Sequence, residues 1–115
     1  MRRFESHTIG VDHGDEILFS DFEDDGKMWK GEGPRAVRHA ITFSEGFSDV
    51  PVISLQLSMV DMSNEAFIRG DLQPDNITKS GFDIVFRTWG DSRVARIRVA
   101  WQAMGPLPSD DTWEL

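Results

Sequence analysis

The sequence predicts an all-β domain, a sandwich or a barrel, and three observations carry that reading. Apolar and polar residues alternate with period two in short stretches along the chain, turn-forming Gly, Pro, Asn and Asp separate those stretches, and no segment shows a convincing helical apolar face. At 115 residues the chain fits one domain, and a domain of that length buries roughly two-thirds of its unfolded surface, enough for one core.

Residues 1–15 read as an N-terminal segment: Arg2 and Arg3 carry positive charge, but no apolar run follows them as a signal peptide requires. The first strand is expected over 16–20, where Ile17, Leu18 and Phe19 cluster. A connection over 21–38, rich in Asp, Glu and Gly, is expected to be a loop. The second strand covers 40–43 and ends at the turn-like Ser44-Glu45-Gly46. In the third, Ile53, Leu55, Leu57 and Met59 point one way and Ser54, Gln56 and Ser58 the other. The fourth spans 67–73 and breaks at Pro74-Asp75-Asn76. The fifth carries Phe82, Ile84 and Phe86, and the sixth Ala95, Ile97, Val99 and Trp101; Trp89-Gly90-Asp91-Ser92 between them reads as the turn of one hairpin. Residues 106–115 read as an extended C-terminal arm.

Composition narrows the functions. The net charge of -8 argues against nucleic acid, whose binding draws most of its affinity from cations that displace counterions. With no cysteine, neither disulfides nor thiolate chemistry is available. No apolar run approaches membrane-spanning length, so no membrane insertion is expected and a cytoplasmic location is the default. No nucleophile setting or phosphate-cradling glycine loop is present, so the chain reads as a non-enzyme.

Several motifs taken together over residues 40–104 carry a resemblance: Ile41-Thr42-Phe43-Ser44, a proline-preceded apolar strand, Phe67-Ile68-Arg69, Asn76-Ile77-Thr78-Lys79-Ser80-Gly81-Phe82, and Thr88-Trp89 leading to Val99-Ala100-Trp101. This pattern resembles the H-type lectin domain. The resemblance implies a six-stranded antiparallel β-sandwich that forms trimers, sometimes stacked as hexamers, with a sugar site at the seam between subunits. It implies a site built from an acidic residue before the second strand, here Glu32, the arginine Arg69, and Trp89 with the residue after it, Gly90. Such a set suits a glycan, because a carboxylate accepts from hydroxyls, a guanidinium donates in a fixed fork, and an aromatic face covers the apolar side of a pyranose. Members that bind N-acetylgalactosamine place a histidine directly after the tryptophan and a tyrosine further along the next strand, where this chain has Gly90 and Ala95. Asp91 is the nearest replacement acceptor. The implied ligand is a glycan of galactose or N-acetylgalactosamine type. The alternative is an assembly module that keeps the oligomeric sandwich and has lost the sugar site.

Other signals are weaker. Asp21, Glu23, Asp25 and Glu32 stand at the first, third, fifth and twelfth positions of an EF-hand loop with Gly26 at the sixth, so calcium is a candidate cofactor, although helices are not expected on either side. Solvation is the simpler reading of that acidic loop, and no cofactor is otherwise expected. Arg69, Asp71, Asp83, Arg87, Arg96 and Arg98 are expected to share the polar face of strands four to six, a face that is either solvated or buried at a subunit interface. Arg69-Gly70-Asp71 spells a cell-adhesion tripeptide, but a strand interior is the wrong presentation for it. Asn76-Ile77-Thr78 reads as a turn, and Asp12-His13-Gly14-Asp15-Glu16 as a polar loop. Trp29 and Trp113 are expected to plug the sandwich ends or pack on a neighbouring subunit, with Trp29, close to Glu32, also a candidate sugar platform. A sugar-binding chain without a leader would meet its ligand inside the cell, by unconventional export, or on a particle.

Overall fold

The computed structural model describes residues 1–108 and shows a sandwich of two three-stranded antiparallel sheets. Sheet I has the order β1 (Ile9–Ser20), β6 (Val94–Pro106), β3 (Val52–Met62); sheet II has the order β2 (Arg35–Thr42), β5 (Gly81–Thr88), β4 (Asp71–Asp75). The central strands β5 and β6 carry most of the core. Phe82, Ile84 and Phe86 from β5 meet Ile97, Val99, Trp101 and Ala103 from β6, with Leu18, Met28, Ile41, Phe43, Phe47 and Val94 around them. Aromatic rings fill one end: Phe43 lies 5.1 Å from Phe47, 5.8 Å from Phe82 and 6.0 Å from Trp101. Such ring clusters fill volume with few rotatable bonds and add a geometric preference to the area they bury.

Four features differ from the expected layout. β5 and β6 do not form a hairpin, since each is the centre of its own sheet and residues 89–93 cross between the layers. Two amphipathic strands show the same alternation whether they pair within a sheet or face each other across a core. The expected loop over 21–38 contains two single helical turns, α1 (Asp21–Asp24) and α2 (Lys27–Lys30), and the first half of β2. β1 begins at Ile9, so the Asp12-to-Glu16 stretch is strand and not loop. β4 starts at Asp71 and runs through Pro74, which an edge strand tolerates because the missing N–H faces away from the ladder. Residues 67–70, including the Arg69-Gly70 pair, precede it as irregular chain.

A bulge in β3 changes the faces. Leu57 is opposite Val99, but Met59 is opposite Arg98 and Val60 opposite Ile97, so Val60 takes the inner side and Met59 turns out. The charged residues expected on one face divide among three places. On sheet II, Arg38 joins Asp75 and Asp83 at 2.9 and 2.8 Å, and Arg87 lies 3.8 Å from Asp71. On sheet I, Arg96 pairs with Asp61 at 2.9 Å, while Arg98 bonds Ser58 at 3.1 Å and approaches Asp15 at 3.7 Å. Arg69 lies at the end of the sandwich. Pro106 closes β6 and the Leu107 N–H bonds Thr8 O, so the expected arm begins inside the fold; Trp113 lies outside the described residues. Among the described residues no helix is long and apolar enough to cross a membrane.

Candidate ligand site

The site forms where three connecting segments, 31–34, 63–70 and 89–93, meet at one end of the sandwich, beside α2, the start of β2 and the end of β3. Two buried hydroxyls hold the segment that carries Arg69. Thr88 Oγ1 donates to Arg69 O at 2.6 Å, and Ser92 Oγ donates to Phe67 O. Both donors are fully enclosed, so their preferred state is a satisfied bond, and that fixes the backbone on either side of Ile68. The Arg69 side chain then reaches Asp91, with Nη1 2.6 Å from Oδ1 and 3.5 Å from Ser92 Oγ. Its guanidinium also lies 4.9 Å from the Phe67 ring centroid.

Arg35 holds the second segment. This side chain is buried, and its fork donates to four carbonyls: Nε to Gly33 O at 2.9 Å, Nη1 to Met28 O at 3.2 Å and Lys27 O at 3.3 Å, and Nη2 to Gly90 O at 3.1 Å. Burial lowers its pKa, and the nearby Glu32 carboxylate works in the opposite direction. Gly90 O also accepts the Gly33 N–H at 2.9 Å. Together these bonds bring the Glu32 loop against the Gly90-Asp91 turn.

Gly90 has φ +67°, a conformation that side chains rarely adopt, and a Cβ placed there would lie 3.1 Å from Arg69 Nη1. The space that a side chain at Gly90 would enter is thus taken by the Arg69 guanidinium. Glu32 and Asp91 face one polar cavity of about 430 Å³, together with Lys30, Glu65 and Arg93. The structure therefore brings Glu32, Arg69, Gly90 and Asp91 together. Trp89 is 44% exposed and lines a separate depression with Pro34, Ala36 and Arg87, so its ring does not cover that cavity.

Of the four acidic residues of the calcium spacing, Asp21 and Asp25 have protein partners, while Glu23 and Glu32 line two different cavities. Asp21 Oδ2 accepts the Met28 N–H at 3.0 Å, Asp25 pairs with Lys30 at 3.2 Å, and Glu32 faces the polar cavity. The flanking elements are a strand and two single helical turns, and among the described residues no three metal-ligating side chains converge. Trp29 is half-buried, with the Arg93 guanidinium 4.8 Å from its ring centroid and Phe22 edge-on at 5.1 Å. Sequence reasoning missed Arg35, Thr88 and Ser92. Only the position of Thr88 and Ser92 on either side of Trp89-Gly90-Asp91 could have marked them, because their acceptors are backbone groups distant in the chain.

Comparison with known proteins agrees with this architecture. The H-type lectin domain family model matches residues 38–104. A protein of Fuscovulum blasticum described as "ATP synthase subunits region ORF 7" is 48% identical over 108 residues, covering 94% of each chain. Discoidin-1 of Dictyostelium discoideum is 36% identical over 76 residues, which is 64% of this chain and 29% of that protein. The solved structure of recombinant discoidin II from the same organism superimposes with a TM-score of 0.75 at 24% identity, over 91% of this chain and 40% of that one. This chain thus spans well under half the length of the discoidins it matches.

Proposed function

This chain belongs to the H-type lectin domain family, and we propose that it is a non-enzymatic carbohydrate-binding module whose site is the Arg69–Asp91 cluster with Glu32 and Gly90. The observation that carries the reading is the convergence of Glu32 and Asp91 on one polar cavity, with Asp91 bonded to Arg69. Carboxylates accept from sugar hydroxyls and the guanidinium donates to them. Asp91 supplies an acceptor beside Gly90, and the ligand class is galactose or N-acetylgalactosamine type. The Trp89 ring leaves the cavity of its own copy uncovered, which favours a site completed at a seam, where the ring of one copy covers the cavity of the next. No metal is required in this scheme, since Asp21 and Asp25 have protein partners.

Assembly is favoured by a separate observation. Val11, Met104 and Val52 form one cross-strand row on the outer face of sheet I and are 53, 41 and 44% exposed. A row of that kind is a candidate contact for further copies of the chain, as trimer or hexamer. Arg96 and Arg98 on the same face already have partners within their own subunit, so the apolar row is the stronger candidate for the contact. The test is a glycan array with mass measurement by light scattering, with calcium and with chelator. Saturable, chelator-insensitive binding by an oligomer, lost in Arg69→Ala with the fold intact, is the expected result. An oligomer that ignores every glycan would replace this reading with the assembly module, and Met104→Glu should then still dissociate it.

A further inference from the structure

Resting on the glycan reading above, we infer that the polar cavity lined by Glu32 and Asp91 is one end of a longer groove, whose second subsite binds a further unit of a neutral oligosaccharide through Phe22, Glu23, Trp29, Asp61 and Arg96. Two cavities are lined by consecutive parts of the same two stretches of chain. Trp29 and residues 61–63 line one of about 360 Å³, and the same two stretches continue as residues 30–32 and 65–66 along the polar cavity that holds Asp91. Arg93 marks the junction. Its Nε donates to Trp29 O at 3.0 Å, its guanidinium lies over the Trp29 ring, and its carbonyl accepts the Ser63 N–H at 2.9 Å. Both walls are thereby tied to one residue that also lines the polar cavity.

The second cavity has the chemistry of a sugar subsite. Phe22 is 57% exposed, and its ring is set edge-on against Trp29 at 5.1 Å with an interplanar angle of 80°. A large aromatic held in fixed geometry yet left open to solvent is a preorganised surface for the C–H face of a pyranose. Glu23 offers acceptor oxygens. Asp61 binds Arg96 through one oxygen, Oδ2, at 3.1 Å from Nε and 2.9 Å from Nη2, which leaves its other oxygen and further guanidinium N–H groups for ligand hydroxyls. Both signs of charge line the space, so a hydroxyl-bearing neutral ligand satisfies them together, whereas an acidic sugar would meet two carboxylates. The volume lies in the range of small-molecule pockets, roughly 300–1,000 Å³.

The experiment is calorimetric titration of the full-length protein with galactose, N-acetylgalactosamine, and linear neutral di-, tri- and tetrasaccharides ending in either sugar. The wild type and the Phe22→Ala/Glu23→Gln double variant are compared, with melting curves for both. Affinity is expected to rise about tenfold from monosaccharide to trisaccharide in the wild type, as one stacking contact and its hydrogen bonds allow. The double variant should lose most of that gain while keeping its monosaccharide affinity and melting temperature. Affinity independent of chain length, or a gain that survives the double substitution, would overturn the second subsite and leave the Arg69 site standing. Failure of every saccharide to bind the wild type would overturn both.

Discussion

Replacing Arg35 by methionine tests the role of the four-carbonyl bond set directly, because methionine keeps an unbranched apolar stem and removes every donor. One of the four bonds, to Met28 O, is buried, and the other three are partly buried. A hydrogen bond from a charged donor contributes about 1.5–3 kcal/mol, and a buried acceptor left without a partner costs a comparable amount. The three partly buried carbonyls lose less, because water can take the place of the guanidinium. The expected loss is about 3 kcal/mol, which for a domain of this length lowers the melting temperature by roughly 10–20 °C. Scanning calorimetry measures that shift. Hydrogen exchange at the Gly33 amide, bonded to Gly90 O at 2.9 Å, reports whether the Glu32 loop has come away from the Gly90 turn. Arg35→Lys keeps the charge but presents a compact ammonium in place of a fork, and should recover less than half of the loss. A methionine variant that melts within about 3 °C of wild type, with the Gly33 amide still protected, would refute the assignment of the loop's position to Arg35.

Gly14 lies opposite Trp101, and a Cβ there would stand 2.7 Å from Cε2 of the indole; Gly14→Ala should therefore destabilise by about 1–3 kcal/mol in urea titration, and an unchanged midpoint would show that the ring has room to move. Gly90→Ala combines positive φ with crowding of Arg69, so it should cost about 1 kcal/mol of stability and weaken glycan affinity several-fold; unchanged affinity would mean that Arg69 is not held by this turn. The hydrogen bond from Arg38 is the main cause that holds the Asp75 carboxyl below its ordinary value of 3.8, and bonds from Asn76 and then Arg38 do so for Asp83. Because these groups bind protons less readily folded than unfolded, their contribution is present above pH 4 and lost as the pH falls below it. Arg38→Met should flatten the acid limb of the stability profile, and a limb of unchanged slope would count against this cluster.

The all-β character and the inward side of each of β5 and β6 were legible in the sequence because alternation is a local property: successive side chains on a strand point to opposite faces, and Phe82, Ile84, Phe86, Ile97, Val99 and Trp101 follow that period. Arg69 and Gly90 were picked out through the family pattern, which matches residues 38–104, whereas Glu32 precedes that match and Asp91 was taken only from its nearness to Gly90. What sequence could not determine was which layer each strand joins. A hairpin and a crossover between sheets demand the same amphipathic strands, and the choice depends on whether the chain at Trp89-to-Arg93 closes a ladder or bonds other loops. Here it bonds other loops, because Gly90 O is taken by Gly33 and Arg35, Ser92 by Phe67 and Arg93 O by Ser63. For the same reason Arg35 looked like one more charge in an acidic loop until the fold placed four carbonyls around it. Bonds to distant backbone groups leave no trace in local pattern; they exist only once two sheets stack and bring their connecting segments to a common end.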